Sequence, residues 1–186
     1  MLSDLEDWRT DAAKSLDFVK ADCCQRLPFE DARFDFSLSY NSFEHFPDPA
    51  KAFNEVLRIT RPDGILHFSF NPLYCSPWGL HAYRMLRMPY PQFLFSDSFI
   101  QRKLEEIGIW DLGKKRSELQ ALNRWRAHQF DALWNRPDVE ILNLQWHVDA
   151  DHLNLVSEFP TCFQGRHLTF NDLITSGVTV TLRKKV

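Results

Sequence analysis

Leu27-Pro28-Phe29-Glu30-Asp31-Ala32-Arg33-Phe34-Asp35-Phe36-Ser37-Leu38-Ser39-Tyr40-Asn41-Ser42-Phe43-Glu44-His45-Phe46 decides the reading of this chain. The turn chemistry of Glu30-Asp31-Ala32 leads into Phe34 to Tyr40, which predicts a strand. Asp48 followed by Pro49 predicts a helix start, with an acceptor at the cap and a proline in the first turn. Phe53, Val56 and Leu57 give that helix its buried face. Arg61-Pro62-Asp63-Gly64 ends it as a turn. Ile65 to Phe70 is apolar apart from His67 and Ser69, which predicts an interior strand covered on both faces.

Upstream, Leu16 to Val19 predicts a short strand ending near Asp22. Ser3-Asp4-Leu5-Glu6 reads as a capping box for a short helix bearing Leu5, Trp8 and Ala12. Downstream, Asn71-Pro72 stops the central strand. Leu73 to Phe95 is irregular and rich in proline and aromatics. Ser96 caps a further helix with Phe99, Ile100, Leu104 and Ile107 inward, and Gly108 stops it. Ser117 to Asn135 reads as one longer helix. Leu142, Leu144, Trp146 and Val148 alternate with Asn143, Gln145 and His147, as in a half-buried strand. Thr169 caps a short helix that stops at Gly177. Val178 to Leu182 is a last alternating strand. Helices alternating with strands predict an α/β layered domain, with the closing pair as an antiparallel edge.

The 186 residues fit one domain with a sizeable core. A net charge of −3 leaves no footprint for nucleic acid. The four cysteines, Cys23, Cys24, Cys75 and Cys162, form no CxxC pair, so neither a metal site nor a disulfide framework is indicated. Reduced thiols point to the cytoplasm. The charged first ten residues lack the apolar run of a signal peptide, and no stretch is long enough to span a bilayer.

From about Asp17 to Phe70, the order of these pieces resembles the middle of a class I S-adenosylmethionine-dependent methyltransferase. Those pieces are a strand followed by an acidic residue, a Leu-Pro-Phe turn, a Phe-Asp strand, a helix, and a Pro-Asp-Gly turn into the next strand. The resemblance implies a Rossmann-like sheet of order 3-2-1-4-5-7-6, mostly parallel with an antiparallel C-terminal edge strand. It implies one domain over residues 1–186, with residues 73–95 as a substrate cover, and it implies S-adenosylmethionine as cofactor.

By position, the resemblance makes Asp22 the carboxylate that accepts from the adenine amine, with the Cys23 amide donating to the ring. Tyr40 and Asn41 fall where the methionine moiety sits beyond a strand end. The alternative for Tyr40 is to close the core. Asp4 falls where the ribose-holding carboxylate belongs, or else opens a helix. His45 is the candidate base, since an imidazole titrates near neutrality; its alternative is to anchor the loop. Tyr74, Trp78, His81, Tyr83 and Arg84 are candidate substrate contacts, and Arg84 and Arg87 suit an anionic group. The same segment also reads as aromatics packed on the core, or as a membrane contact through Trp78, Met85, Leu86 and Met88.

The family's acidic-x-Gly-x-Gly loop has no counterpart among the six glycines, Gly64, Gly79, Gly108, Gly113, Gly165 and Gly177. Glycine matters there because the backbone must approach the cofactor closely. Without strands one and two, Phe34–Tyr40 becomes an open edge. Three outcomes are expected of that edge: Asp17–Val19 shifts to pair with it, two chains pair through it, or the chain is a fragment. The function expected is methyl transfer to a small-molecule acceptor. The alternative is a non-catalytic remnant acting as a binding or dimerisation module.

Overall fold

The computed structural model describes residues 17–111 and 114–185. The expected helix at Ser3–Glu6 and the placement of Asp4 lie outside them. One sheet runs in the order β1 (Phe34–Tyr40), β2 (Thr60–Phe70), β6 (Thr175–Lys184), β5 (Val139–Val148). β1 and β2 are parallel, with Leu38 opposite His67. β6 runs antiparallel to both β2 and β5. This is the 4-5-7-6 portion of the expected sheet, antiparallel at its C-terminal edge.

Helix α1 (Pro49–Ile59) forms as its sequence dictates: the Asp48 carboxylate accepts from the Lys51 amide at 3.0 Å and Pro49 opens the first turn. Its Phe53 and Leu57 pack on Leu66, Phe68 and Phe70 of β2 and Val178, Val180 and Leu182 of β6. Helix α4 (Ala127–Trp134) adds Phe130, Leu133 and Trp134 to the same core. Aromatic pairs thread it, with Phe43 and Phe68 centroids 4.6 Å apart.

The Leu-Pro-Phe turn is stapled to α1 by two charged residues one turn apart. Glu55 accepts from the Leu27 amide at 2.6 Å. Arg58 donates to the Phe29 carbonyl at 2.9 Å and to the Leu27 carbonyl at 3.3 Å, while pairing with Glu55 and Asp31. Three buried or half-buried carbonyl and amide groups thus find charged partners, a stronger class of hydrogen bond than a neutral one.

Four elements differ from expectation. Asp17–Val19 makes no strand, and Phe18 stands exposed; among the described residues β1 pairs only with β2. The shift of that segment onto β1 is therefore not what happens. Arg61–Gly64 does not merely end the helix. It loops out inside β2, so that the partners of Phe34 and Phe36 are Thr60 and Ile65. Only one face of β2 is fully buried; His67 and Ser69 face the other way and bond to Thr181 and Thr179 of β6 at 2.8 and 3.0 Å. The long helix over Ser117–Asn135 shrinks to α4, because Arg124 is left-handed and residues 121–123 are drawn to the loop after β1.

The remaining elements are small. They are α2 (Pro91–Leu94), α3 (Asp97–Ile107), the hairpin β3 (Ile109–Asp111) and β4 (Lys114–Arg116), α5 (Asn154–Glu158), α6 (Pro160–Phe163) and α7 (Phe170–Ile174). Ser96 and Thr169 cap α3 and α7 as expected, although Ile107 is exposed and α7 gives way to β6 before Gly177. On β5, Leu144 and Trp146 are half-buried, whereas Leu142 and Val148 are exposed beside two register shifts. The four cysteines are free thiols. Among the described residues no helix is long and apolar enough to cross a membrane.

Candidate functional site

β1 and β2 run parallel, so their carboxyl ends open at the same rim. Beyond it lies a cavity of about 880 Å³, the position where open α/β sheets bind ligands. Asn41, just after β1, and Asn71 and Pro72, just after β2, form its floor. Asn41 is left-handed, as is His81 across the cavity. Such backbone costs of order 1 kcal/mol in a residue with a side chain and gathers at functional sites. The Asn41 amide donates to the Ser69 carbonyl at 2.8 Å, which fixes the loop that follows.

That loop carries Glu44 and His45, both lining the cavity. Glu44 is only 3% exposed, yet neither carboxylate oxygen has a hydrogen-bond partner. Orphaned buried carboxylates are rare in folded proteins and mark catalytic or ligand sites. Desolvation pushes the Glu44 carboxyl up to about 7, with only its own backbone amide acting against the shift. His45 Nδ1 lies 2.8 Å from the Ala121 carbonyl oxygen. A carbonyl only accepts, so Nδ1 carries the proton and Nε2 holds the free lone pair in the neutral ring. That Nε2 is 3.8 Å from Glu44 Oε1.

His81 stands against His45, with ring centroids 5.0 Å apart and the rings nearly perpendicular. Its Nε2 donates to the Pro72 carbonyl at 2.7 Å, and burial holds its pKa below the usual imidazole range. Trp78, Tyr83, Arg84, Met85 and Arg87 come from the 73–95 segment, Trp110 from β3, and Leu119 and Gln120 from the unwound stretch before α4. The loss of the long helix therefore supplies a wall of the site. Asn123 holds that wall in place, donating its amide to the Glu44 carbonyl at 3.0 Å and its side chain to the Phe43 carbonyl at 2.6 Å.

Of the sequence-derived candidates, Asn41, His45, Trp78, His81, Tyr83 and Arg84 meet at this cavity. Tyr74 does not; it packs with Phe93 in a separate cluster, under the Arg124 guanidinium at 4.9 Å. Asp22 and Cys23 lie apart, in a turn where Asp22 Oδ1 accepts from the Cys24 amide at 2.9 Å. Cys23 and Cys24 are half-buried against the main core. Tyr40 faces outward on β1 and is 66% exposed. Of the membrane-contact residues, Met85 lines the cavity, Leu86 packs in a side cluster and Met88 is exposed. The residue that sequence reasoning passed over is Glu44. Its signal was a carboxylate directly before the candidate base; the loop that carries it is held by Asn123.

Asp22 Oδ2 makes no hydrogen bond among the described residues, and Asn41 and His45 line the cavity at the strand ends, so an acceptor for an adenine amine and polar groups for a ligand at the rim are both present. No glycine-built cradle for the methionine and ribose occurs in this sequence.

Residues 1–68 match the family model described as a methyltransferase domain. A curated relative from Mycobacterium sp. strain KMS, described as an uncharacterized methyltransferase, is 46% identical over 55 residues, covering 30% of this chain and 21% of that protein. Another from Mycobacterium avium is 40% identical over 70 residues, covering 38% and 27%. The chain thus matches about a fifth to a quarter of the length of these relatives. Among solved structures, an S-adenosylmethionine-dependent methyltransferase from Methanosarcina mazei aligns over 95% of this chain and 76% of its own, with TM-score 0.53 and 18% identity. The MccD protein aligns over 97% and 73%, with TM-score 0.51 and 15% identity. These two establish likeness of fold.

Proposed function

We propose, from the match of residues 1–68 to the methyltransferase-domain family model, that the protein takes part in S-adenosylmethionine-dependent methyl transfer to a small-molecule acceptor. The observation that carries this reading is the buried, unpartnered Glu44 carboxylate beside His45, at the carboxyl ends of two parallel strands. Nothing in the fold or the comparisons favours a non-catalytic module over it.

Asp22 and Cys23 would hold the adenine, and Tyr40 and Asn41 would flank the methionine end. The cofactor, when bound, supplies a methyl group activated on sulfonium. This chain's own residues do the rest. His45 Nε2 or the Glu44 carboxylate accepts the proton that the acceptor atom loses as it gains methyl. The 73–95 segment acts as cover, excluding water and aligning the acceptor, which is where most of the rate of a displacement arises. Formation of S-adenosylhomocysteine with a panel of hydroxyl and amine acceptors tests the reading. Glu44→Gln and His45→Ala should each lower the rate by about 100-fold, the usual weight of a general base. Unchanged rates would remove the pair from the chemistry.

We also propose that β1 pairs with β1 of a second copy. Among the described residues its outer edge has no strand partner, and the strand carries Phe36 and Leu38, 54% and 63% exposed. An antiparallel two-fold centred on Ser37 sets Phe36 opposite Leu38 and Asp35 opposite Ser39, with no like charges facing. The free thiols suit a reducing compartment, which supports a cytoplasmic location.

A further inference from the structure

The cavity is charged unevenly along its depth. At its buried end lie Glu44 and His45, on the loop after β1. At its open end lie Arg84 and Arg87, both exposed, on the 73–95 segment. Arg84 rests against the Tyr83 ring at 5.9 Å. Among the described residues neither guanidinium makes an ion pair, in contrast to Arg58 and Arg136, which are tied to carboxylates. One further carboxylate, Asp149, lines the cavity; its Oδ1 accepts from the Asp151 amide at 3.2 Å. The flat rings of Trp78, Tyr83 and Trp110 also line the cavity.

Each end asks for a different group. A carboxylate without a hydrogen-bond donor is relieved by a ligand O–H or N–H. Two unpaired guanidiniums on one wall suit a planar carboxylate or a phosphate, which they bind through paired hydrogen bonds. Aromatic walls suit a planar apolar body between them.

We propose that the acceptor is a small aromatic acid, its carboxylate or phosphate held by Arg84 and Arg87 and its hydroxyl directed at Glu44 and His45. Its role as acceptor rests on the methyl-transfer reading above. In that reaction the O–CH3 bond forms as the S–CH3 bond breaks, the bonding pair stays on sulfur, and the hydroxyl proton passes to His45 Nε2 or Glu44. Atoms and charge balance with no oxidant or reductant.

The test is calorimetric titration of the full chain, without cofactor, using para-hydroxybenzoate, para-hydroxybenzamide and para-hydroxybenzylamine. The three share the hydroxyl and ring and differ in charge at the far end. The benzoate should bind about tenfold tighter than the amide, the scale of one charge-assisted hydrogen bond, and the amine should bind weakest. In a folded Arg84→Met, Arg87→Met double variant, benzoate and amide should bind alike. The proposal is overturned by equal binding of the three, by a preference for the amine, by a benzoate preference that survives the double variant, or by no binding at millimolar concentration. A separate titration with S-adenosylhomocysteine keeps the two readings apart. Failure there together with the benzoate preference would strike the cofactor reading and leave the anion site standing.

Discussion

The Nε2 of His45 lies 3.8 Å from Oε1 of Glu44, and among the described residues no donor hydrogen-bonds to either Glu44 oxygen. The pair shares one face of a cavity and is too far apart to hydrogen-bond directly. A ligand hydroxyl or amine placed between them would be the missing partner for both.

That relationship has a consequence for stability. Burial raises the Glu44 carboxyl from 4.5 to about 7, so in the folded state the group stays protonated over a range where the unfolded chain has already lost the proton. Glu44 should therefore cost nothing below pH 4.5, and its penalty should grow as pH rises from 4.5 towards 7. The full effect is of order 3 kcal/mol. His81, with its pKa lowered by burial, acts in the opposite direction, stabilising as pH rises towards the ordinary histidine value. Comparing the wild type with Glu44→Gln cancels His81, Arg84, Arg87 and Asp149, and repeating the comparison in a His45→Ala background removes the ring 3.8 Å from Glu44. Denaturant melts at several pH values should show Glu44→Gln gaining on the wild type between pH 4.5 and 7. A difference independent of pH would mean that Glu44 is solvated.

Activity should follow the same group. If Glu44 serves as base, turnover rises with pH through about 7, and the Glu44→Gln variant loses that limb. A pH–rate profile of both proteins reads this directly. An unaltered limb in the variant would leave His45 as the sole acceptor of the proton.

Gly177 of β6 packs closely against Asn71 of the cavity lining. A Cβ there would sit 2.6 Å from Asn71 Cβ and 2.7 Å from the Phe70 carbonyl oxygen. Gly177→Ala should cost about 1–3 kcal/mol by overpacking and push Asn71 out of the floor. Thermal melting and ligand titration should both register the change. A variant as stable as the wild type would mean that the seam yields easily.

The β1 edge gives a fourth test. Leu38→Lys places a charge on a strand edge, the usual natural protection against pairing. Because Leu38 is 63% exposed, stability should change by no more than about 0.5 kcal/mol. Sedimentation velocity should show the wild type associating as concentration rises and the variant remaining monomeric. A wild type that is monomeric throughout would contradict pairing through β1.

Much of this fold is legible in local chemistry. Asp48-Pro49, Ser96 and Thr169 each announce a helix start and each caps one. The alternation in Val178–Leu182 is that of a strand with one face on the core. What local chemistry does not reveal is competition between local and tertiary bonds. Leu119 and Leu122 sit at helical spacing with Phe130 and Leu133, yet the first half of that segment bonds to the Phe43–His45 loop instead. The same competition hid Glu44, whose loop is held by Ala121 and Asn123 of that unwound stretch. Asp17–Val19 is a different case: so short an apolar run does not fix a pairing partner, and it stays outside the sheet although β1 has an unpaired edge among the described residues.

The proposed methyl transfer rests on S-adenosylmethionine binding by this chain with Asp22 on the adenine. Calorimetric titration of the protein and of Asp22→Ala with S-adenosylhomocysteine tests it most directly. The account predicts binding in the micromolar range and about tenfold weaker binding by the variant, the scale of one hydrogen bond to a charged group. A folded chain with no measurable binding, or with affinity untouched by Asp22→Ala, would contradict the account.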